Sequence, residues 1–167
     1  VFEIAAPLMR EVGIRVASGA LSVSQEHALS CILRDQFGRI LQTLQNHRLA
    51  RQMGAKETIL LTTPEGDQHE FGILLSAVLC ATMGVPAYYM GPSLPAADVA
   101  SAAKSLGVSI IVLGNSPNAD PAQREHTHAF FAELDQKVAP GTQVWVGGAG
   151  PKVEAAWMAS GRQLVSL

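Results

Sequence analysis

The chain has 167 residues, enough for one well-packed domain with a small helical unit beside it. Its formal net charge is -2 and only 16% of its residues are charged, which excludes a basic surface for nucleic acid. We therefore expect no direct nucleic-acid binding by this chain.

The cysteines indicate the cellular compartment of the protein. Cys31 and Cys80 each lie within an apolar helical pattern, which predicts buried thiols in a reducing compartment. The apolar stretch 71–90 is divided by Gly84 and Pro86, which argues against a membrane span. We expect a cytoplasmic protein. Because the sequence opens on Val1 rather than methionine, we also expect a piece of a longer one.

Helices are predicted for the first fifty residues. Apolar residues recur at every fourth position near the start, at Ile4, Leu8, Val12 and Val16. Gly19 offers a stop, and a second helix is predicted from Ser22, which has capping-box spacing with Gln25. That helix is expected to run on to Met53. The pattern predicts a small helical unit over residues 1–54.

From residue 55 the pattern changes to short apolar runs that alternate with amphipathic segments, which is typical of βαβ units. Strands are predicted at about 57–62, 86–90, 108–114, 143–147 and 163–166. Helices are predicted at about 70–83, 96–106, 120–138 and 151–160. The sequence thus predicts an α/β domain over 55–167, with a flavodoxin-like, Rossmann-type parallel sheet of five strands. Such a sheet binds its ligand beyond the carboxyl ends of its strands, at the topological switch point.

A short motif follows the first predicted strand. Asp67, His69 and Gly72 form the pattern D-x-H-x-x-G. A neutral imidazole can bind a metal through one nitrogen while a carboxylate holds its other N–H, which fixes the tautomer and raises ligand basicity. Glycine one turn later permits a bulky group to approach the helix start. The same residues also fit a plain helix start, with Asp67 as the cap and His69 in solvent.

The wider pattern resembles the cobalamin-binding domains. The motif is followed by a glycine-containing turn after a later strand and then by Gly147-Gly148, and 41 residues separate Gly72 from Gly114. In that family the histidine is the lower axial ligand of cobalt, and the nucleotide tail enters a slot beside the sheet. The resemblance covers essentially the whole chain and implies that His69 is the metal ligand.

Three stretches sharpen this resemblance: SGALSVSQEH, TTPEGDQHEFG and YYMGPSLPAAD. They are similar to the cobalamin-binding region of light-responsive transcriptional regulators of the MerR class, which carry a helical bundle over the upper face of the corrin. In that family a tryptophan stands ten residues before a Glu-His pair. Here the pair is Glu26-His27 and the corresponding residue is Val16. The resemblance implies that Val16, Glu26 and His27 lie above the corrin.

The upper face departs from the family pattern. The family's tryptophan covers the adenosyl group, and the histidine after it can bind cobalt once light has removed that group. Val16 and Ala17 occupy these two positions here. Since protein interiors are close-packed, either the upper ligand differs or another flat, apolar group fills the space.

The tail slot also departs from the family pattern. Gly114 stands in the place of the family's S-x-L serine, so tail recognition is expected from its neighbours Asn115 and Ser116. Gly147 and Gly148 are expected to line the same slot, because a side chain there would project into it.

The resemblance implies a sensory, light-sensing domain without catalytic turnover of its own. Its cofactor would be cobalamin, as adenosylcobalamin or another upper-ligand form, and an effector or DNA-binding domain would lie outside this sequence. A homo-oligomer is compatible with this interpretation, and no membrane partner is expected. Three alternatives stay open: a corrinoid methyl carrier, a domain that binds a bilin or haem with or instead of the corrin, and an interaction domain without cofactor. Against the first, corrinoid carriers usually have aspartate after the histidine, where this chain has Glu70.

Overall fold

The computed structural model describes residues 2–49, 57–117, 121–150 and 164–166. The N-terminal part is helical, and the part from residue 57 alternates strands and helices. The predicted helix at 151–160, the predicted end of the second helix near Met53 and the predicted domain boundary at 54–55 lie outside these residues. The described elements are α1 (Phe2–Ala17), α2 (Val23–Leu49), β1 (Ile59–Thr62), α3 (Phe71–Thr82), β2 (Ala87–Tyr89), α4 (Ala96–Leu106), β3 (Ile110–Gly114), α5 (Pro121–Lys137), β4 (Gln143–Gly147) and β5 (Leu164–Ser166).

The five strands form one parallel sheet in the order β2-β1-β3-β4-β5. This is the strand order of flavodoxin-like doubly wound sheets, in which the order reverses between β1 and β3. The parallel sheet, its flanking helices and the helical N-terminal part agree with the prediction. The reversal leaves a crevice at the carboxyl ends of β1 and β3, where a ligand can enter.

Side chains alternate between the two faces of the sheet, as the two-residue period of a strand requires. Leu60 and Ile111 pack on one face with α4 and α5, whereas Leu61 and Val112 pack on the other. That second face is covered by α3 and by residues of α1 and α2, including Phe37 of α2. The N-terminal helices are therefore anchored on the same side of the sheet as α3.

The turn between α1 and α2 has the predicted capping box. The backbone N–H of Gln25 donates to the hydroxyl oxygen of Ser22 at 3.2 Å, and the backbone N–H of Ser22 donates to the side-chain oxygen of Gln25 at 2.9 Å. Gly19 has a φ of +74°, which suits the chain reversal after α1. These contacts fix where α2 starts.

The predicted apolar stripe of α1 is wrong at its first half. Ile4 and Leu8 are 75% and 39% exposed, whereas Ala5 and Val12 are buried. A strict four-residue step drifts by about 40° per turn around a helix, so four such positions do not share one face. The seven-residue spacing of Ala5 and Val12 keeps both on one face of α1, and Ala5 packs in the core with α3.

The prediction of two buried thiols also fails at one position. Cys31 is exposed and Cys80 is half-buried. Cys31 lies about 120° around α2 from the buried Phe37, because six residues are not a whole number of turns. Within the described ranges, no helix has both the length and the apolar character needed to cross a membrane.

Candidate metal and cofactor site

A cavity of about 940 Å³ lies between the N-terminal helices and the carboxyl-end loops of the sheet. This volume is near the upper end of the range for small-molecule sites, about 300–1,000 Å³. Val12 and Val16 of α1 form part of one wall, and His69 and the β3 and β4 loops form the opposite wall. The cavity occupies the crevice at the topological switch point.

The imidazole of His69 is held at this cavity by a carboxylate. Nδ1 lies 2.8 Å from Oδ1 of Asp67, which also accepts the backbone N–H of His69 at 3.0 Å. The hydrogen bond to Asp67 raises the pKa of His69, burial opposes the shift, and the negative charges of Asp67 and Glu26 add to it. No described residue bonds Nε2. The nitrogen at the other side of the ring is therefore available to a metal.

Asp67 connects two loops of the site. Its Oδ2 accepts the backbone N–H of Ser116 at 3.1 Å, and its side chain is only 13% exposed. Burial disfavours the ionised carboxyl group, but hydrogen bonds from His69 and Ser116 outweigh it and lower the pKa of Asp67. The carboxylate is thus ionised at neutral pH and fixes the imidazole tautomer with Nδ1 protonated.

Hydrogen bonds with Thr63 and Ser93 stabilise the loop that carries Asp67 and His69. Thr63 is fully buried, and its hydroxyl donates to the Asp67 carbonyl oxygen at 2.5 Å and accepts the Ser93 N–H at 2.8 Å. Gly66 makes the turn with a φ of +85°, and its N–H donates to the Ser93 hydroxyl oxygen at 2.9 Å. These bonds place His69 on a rigid turn instead of a free loop.

The wall above the histidine is partly as expected. Val16 and Glu26 line the cavity. The hydrogen bond from the Ser30 hydroxyl lowers the pKa of Glu26, burial opposes this shift, and His27 and His69 contribute to it. His27 does not line the cavity, because its ring turns to Oε2 of Glu26 at 2.6 Å and is 72% exposed. The expectation that His27 faces the cavity is therefore not met.

The predicted tail-slot residues come together at the strand ends. Gly114 pairs with Gly147 in the register of β3 and β4, and both line the cavity together with Asn115, Ser116 and Gly148. The site thus joins residues that lie far apart in the chain.

The reason for two of these glycines differs from the prediction. A Cβ on Gly114 would lie 3.0 Å from the Ile73 side chain, and a Cβ on Gly148, whose φ is +126°, would collide with the Asn115 carbonyl oxygen. These glycines permit close packing of the loops, so a side chain would meet protein before any ligand. A Cβ on Gly72 meets nothing within 4 Å, so Gly72 borders open space in the cavity, as does Gly13 of α1.

Sequence reasoning missed several residues of the wall. Met9, Gly13 and Ser76 line the cavity although no motif includes them. Their spacing could have found them, because Met9, Gly13 and Val16 are three or four residues apart on α1, and Ser76 is one turn beyond Gly72 on α3.

Clusters of metal-binding side chains are absent from the part of the chain that the structure describes. Among the residues that the structure describes, no group of three or more could hold a metal ion. A lone histidine suits a metal whose other ligands come from elsewhere, such as a macrocycle.

No protein-family model matches the chain. It is 32% identical over 150 residues to the HTH-type transcriptional repressor CarH of Myxococcus xanthus, which covers 90% of this chain and 47% of the repressor. The chain is related in sequence to CarH over this region. CarA, another HTH-type transcriptional repressor of M. xanthus, is 28% identical over 107 residues, 64% of this chain and 33% of CarA. These two relatives confirm the resemblance to the cobalamin-binding region of MerR-class light-responsive regulators.

The sequence relationship covers only part of each repressor, since the chain spans about half the length of CarH and about a third of the length of CarA. Both are repressors by name, not enzymes. Among solved structures, the monomethylamine corrinoid protein of Methanosarcina barkeri matches with a TM-score of 0.63 and 17% identity, covering 95% of this chain and 72% of that protein. At this identity the likeness concerns the fold alone.

Proposed function

We propose that the chain binds cobalamin in this cavity, with Nε2 of His69 as the lower ligand of cobalt. The observation that carries the proposal is the Asp67–His69 pair, whose Nδ1 is occupied by the carboxylate while Nε2 is left for a metal. The sequence relationship to CarH supports the identity of the cofactor.

The residues present fit this cofactor. The cavity of about 940 Å³ is open enough for a large planar group, and Gly72 borders it without a side chain. Gly114 and Gly147, paired at the ends of β3 and β4, line the cavity beside Asn115 and Ser116, where the nucleotide tail would lie. Cobalamin, when bound, supplies a light-sensitive bond between cobalt and its upper ligand.

The chain's own residues would make the domain a sensor and not a catalyst. Asp67 holds the imidazole, α1 covers the opposite wall of the cavity, and Glu26 offers an ionised carboxylate there. A change at the upper ligand would alter the position of α1 and α2, and an effector or DNA-binding domain elsewhere in a longer, cytoplasmic regulator would respond. The repressor function of CarH and CarA supports this interpretation.

The upper ligand would differ from the family's usual arrangement. Val16 and Ala17 line the cavity at the two positions where the family has a tryptophan and a histidine, and Gly13 lines it one turn earlier on α1. Residue 17 therefore offers cobalt no ligand after illumination, and the space accepts an adenosyl group or a larger one. These small side chains favour, as the second candidate, a domain that binds a bilin together with cobalamin.

Paired glycine substitutions test cofactor binding. Gly72→Leu should block uptake of hydroxocobalamin and adenosylcobalamin, because the new side chain enters the cavity, while the apo protein keeps its thermal stability. Gly38→Leu is the matched control, since Gly38 also lies in a helix with nothing within 4 Å but outside this cavity. Visible-absorption titrations in the dark and after illumination, with and without biliverdin, report both candidates. Full-affinity uptake by the Gly72 variant would contradict the proposed site.

A further inference from the structure

Glu70 directly follows the proposed cobalt ligand, and its carboxylate is buried. Its side chain is 5% exposed. Oε1 accepts a hydrogen bond from Nε of Arg34 on α2, and Oε2 accepts one from the Tyr89 hydroxyl on β2. A buried carboxylate requires such partners, so these contacts belong together. They tie the residue before α3 to the N-terminal helices and to the edge strand of the sheet.

The side chain of Glu70 does not serve α3 itself. Glu70 precedes the helix but makes no side-chain capping bond to it. Its backbone N–H donates to the Gln68 carbonyl at 3.0 Å, and its carbonyl accepts the Leu74 N–H at 2.9 Å. The main chain is fixed on both sides, and adjacent Cα atoms are only about 3.8 Å apart. A displacement of Glu70 is therefore transmitted to His69.

The same side of α2 also reaches the upper wall of the cavity. Glu26, Ser30 and Arg34 follow each other at four-residue spacing, and the Ser30 hydroxyl donates to the Glu26 carboxylate. Two helical turns, about 12 Å, separate Glu26 from Arg34. One rigid helix thus contacts the wall above the corrin position and the buried carboxylate beside the lower ligand.

We propose that Arg34, Glu70 and Tyr89 are positioning residues that couple α2 to His69, so that the group above the corrin sets the strength of the cobalt–histidine bond. This inference rests on the proposed function. A bulky upper ligand that pushes Glu26 displaces α2, and Arg34 carries the displacement to Glu70. The coupling is reciprocal, so ligation by His69 must favour one position of α2 to the same extent.

Arg34→Met tests the coupling, because methionine keeps an unbranched stem and removes the guanidinium. The readout is the electron paramagnetic resonance spectrum of protein-bound cob(II)alamin, in which an axial nitrogen splits the cobalt lines. We expect the ratio of histidine-ligated to unligated cobalt to fall about tenfold, within the usual range of coupling between sites. Arg39→Met, on the same helix and paired within the described residues with the exposed Asp35, should leave the ratio unchanged.

A second comparison separates coupling from general damage. In a His69→Ala background, Arg34→Met should change cobalamin affinity less than about twofold, because no ligand remains to be positioned. Equal losses of affinity in both backgrounds, or an unchanged ratio in Arg34→Met, would overturn the inference while cobalamin binding stands. If Arg34→Met does not fold, Tyr89→Phe removes the other hydrogen bond and should lower the ratio in the same direction. A wild type without axial nitrogen splitting overturns both the inference and the proposed function.

Discussion

Replacing Asp67 with asparagine tests the carboxylate that holds Nδ1 of His69, the proposed cobalt ligand. Oδ1 accepts two N–H groups of His69 and Oδ2 accepts the N–H of Ser116, so both carboxylate oxygens face donors. An asparagine has one oxygen and one NH2 group. If its oxygen faces His69, its NH2 meets the Ser116 N–H; if it flips, the NH2 meets both donors of His69. The first orientation loses fewer bonds and leaves one N–H without its acceptor.

The cost of Asp67→Asn follows from that lost bond. Leaving a buried donor unsatisfied costs about 1–3 kcal/mol, and the Asp67 side chain is only 13% exposed. Urea unfolding of the apo protein should show this loss, with the exposed carboxylate of Asp35 replaced by asparagine as the control. Because the imidazole loses its anionic partner, cobalamin affinity should fall about 10- to 100-fold. Wild-type stability together with wild-type affinity would refute this account of Asp67.

Three further predictions concern the loops, the pH dependence and the upper wall. Gly148→Ala should destabilise the apo protein by about 1–3 kcal/mol more than Gly141→Ala, measured by urea unfolding, because only the former adds a collision to a positive φ; equal losses would contradict this. Because the pKa of His69 is raised in the folded state, its contribution to the free energy of unfolding is fully present below about pH 6.5, the unfolded value, and is lost as the pH rises through the folded pKa. Unfolding curves measured across pH should show this loss of stability in the wild type and not in Asp67→Asn. Val16→Trp should favour adenosylcobalamin over biliverdin in binding titrations, and an unchanged preference in a wild type that already rejects biliverdin would contradict the view of an enlarged upper space.

The strands and the ligand motif could be predicted because their signals are local. The largely apolar run Ile59–Thr62 forms β1, and all four of its residues are buried. Such a run predicts a central parallel strand even when the strands that pair with it are unknown. The D-x-H-x-x-G pattern places its carboxylate and imidazole two residues apart, so their contact follows from the turn between them.

The contacts that complete the site could not be predicted, because they join distant segments. Asp67 meets Ser116 across 49 residues, and Glu70 meets Arg34 across 36. The sequence pattern says that β1 and β3 end at one edge, but not which backbone N–H faces which oxygen. His27 differs from these cases, because its ring contacts its neighbour in the chain, Glu26, at the surface and not the cavity.

Ligation of cobalt by His69 is tested most directly by isotopic labelling of the protein's histidines. Cob(II)alamin bound to protein containing 15N-histidine should show doublet splitting from an axial nitrogen, whereas unlabelled protein gives a triplet. His69→Ala should lose the doublet, and His126→Ala, which removes an exposed histidine of α5, should keep it. A triplet in the labelled wild type, or a doublet that survives in His69→Ala, would contradict the claim that His69 binds cobalt from below.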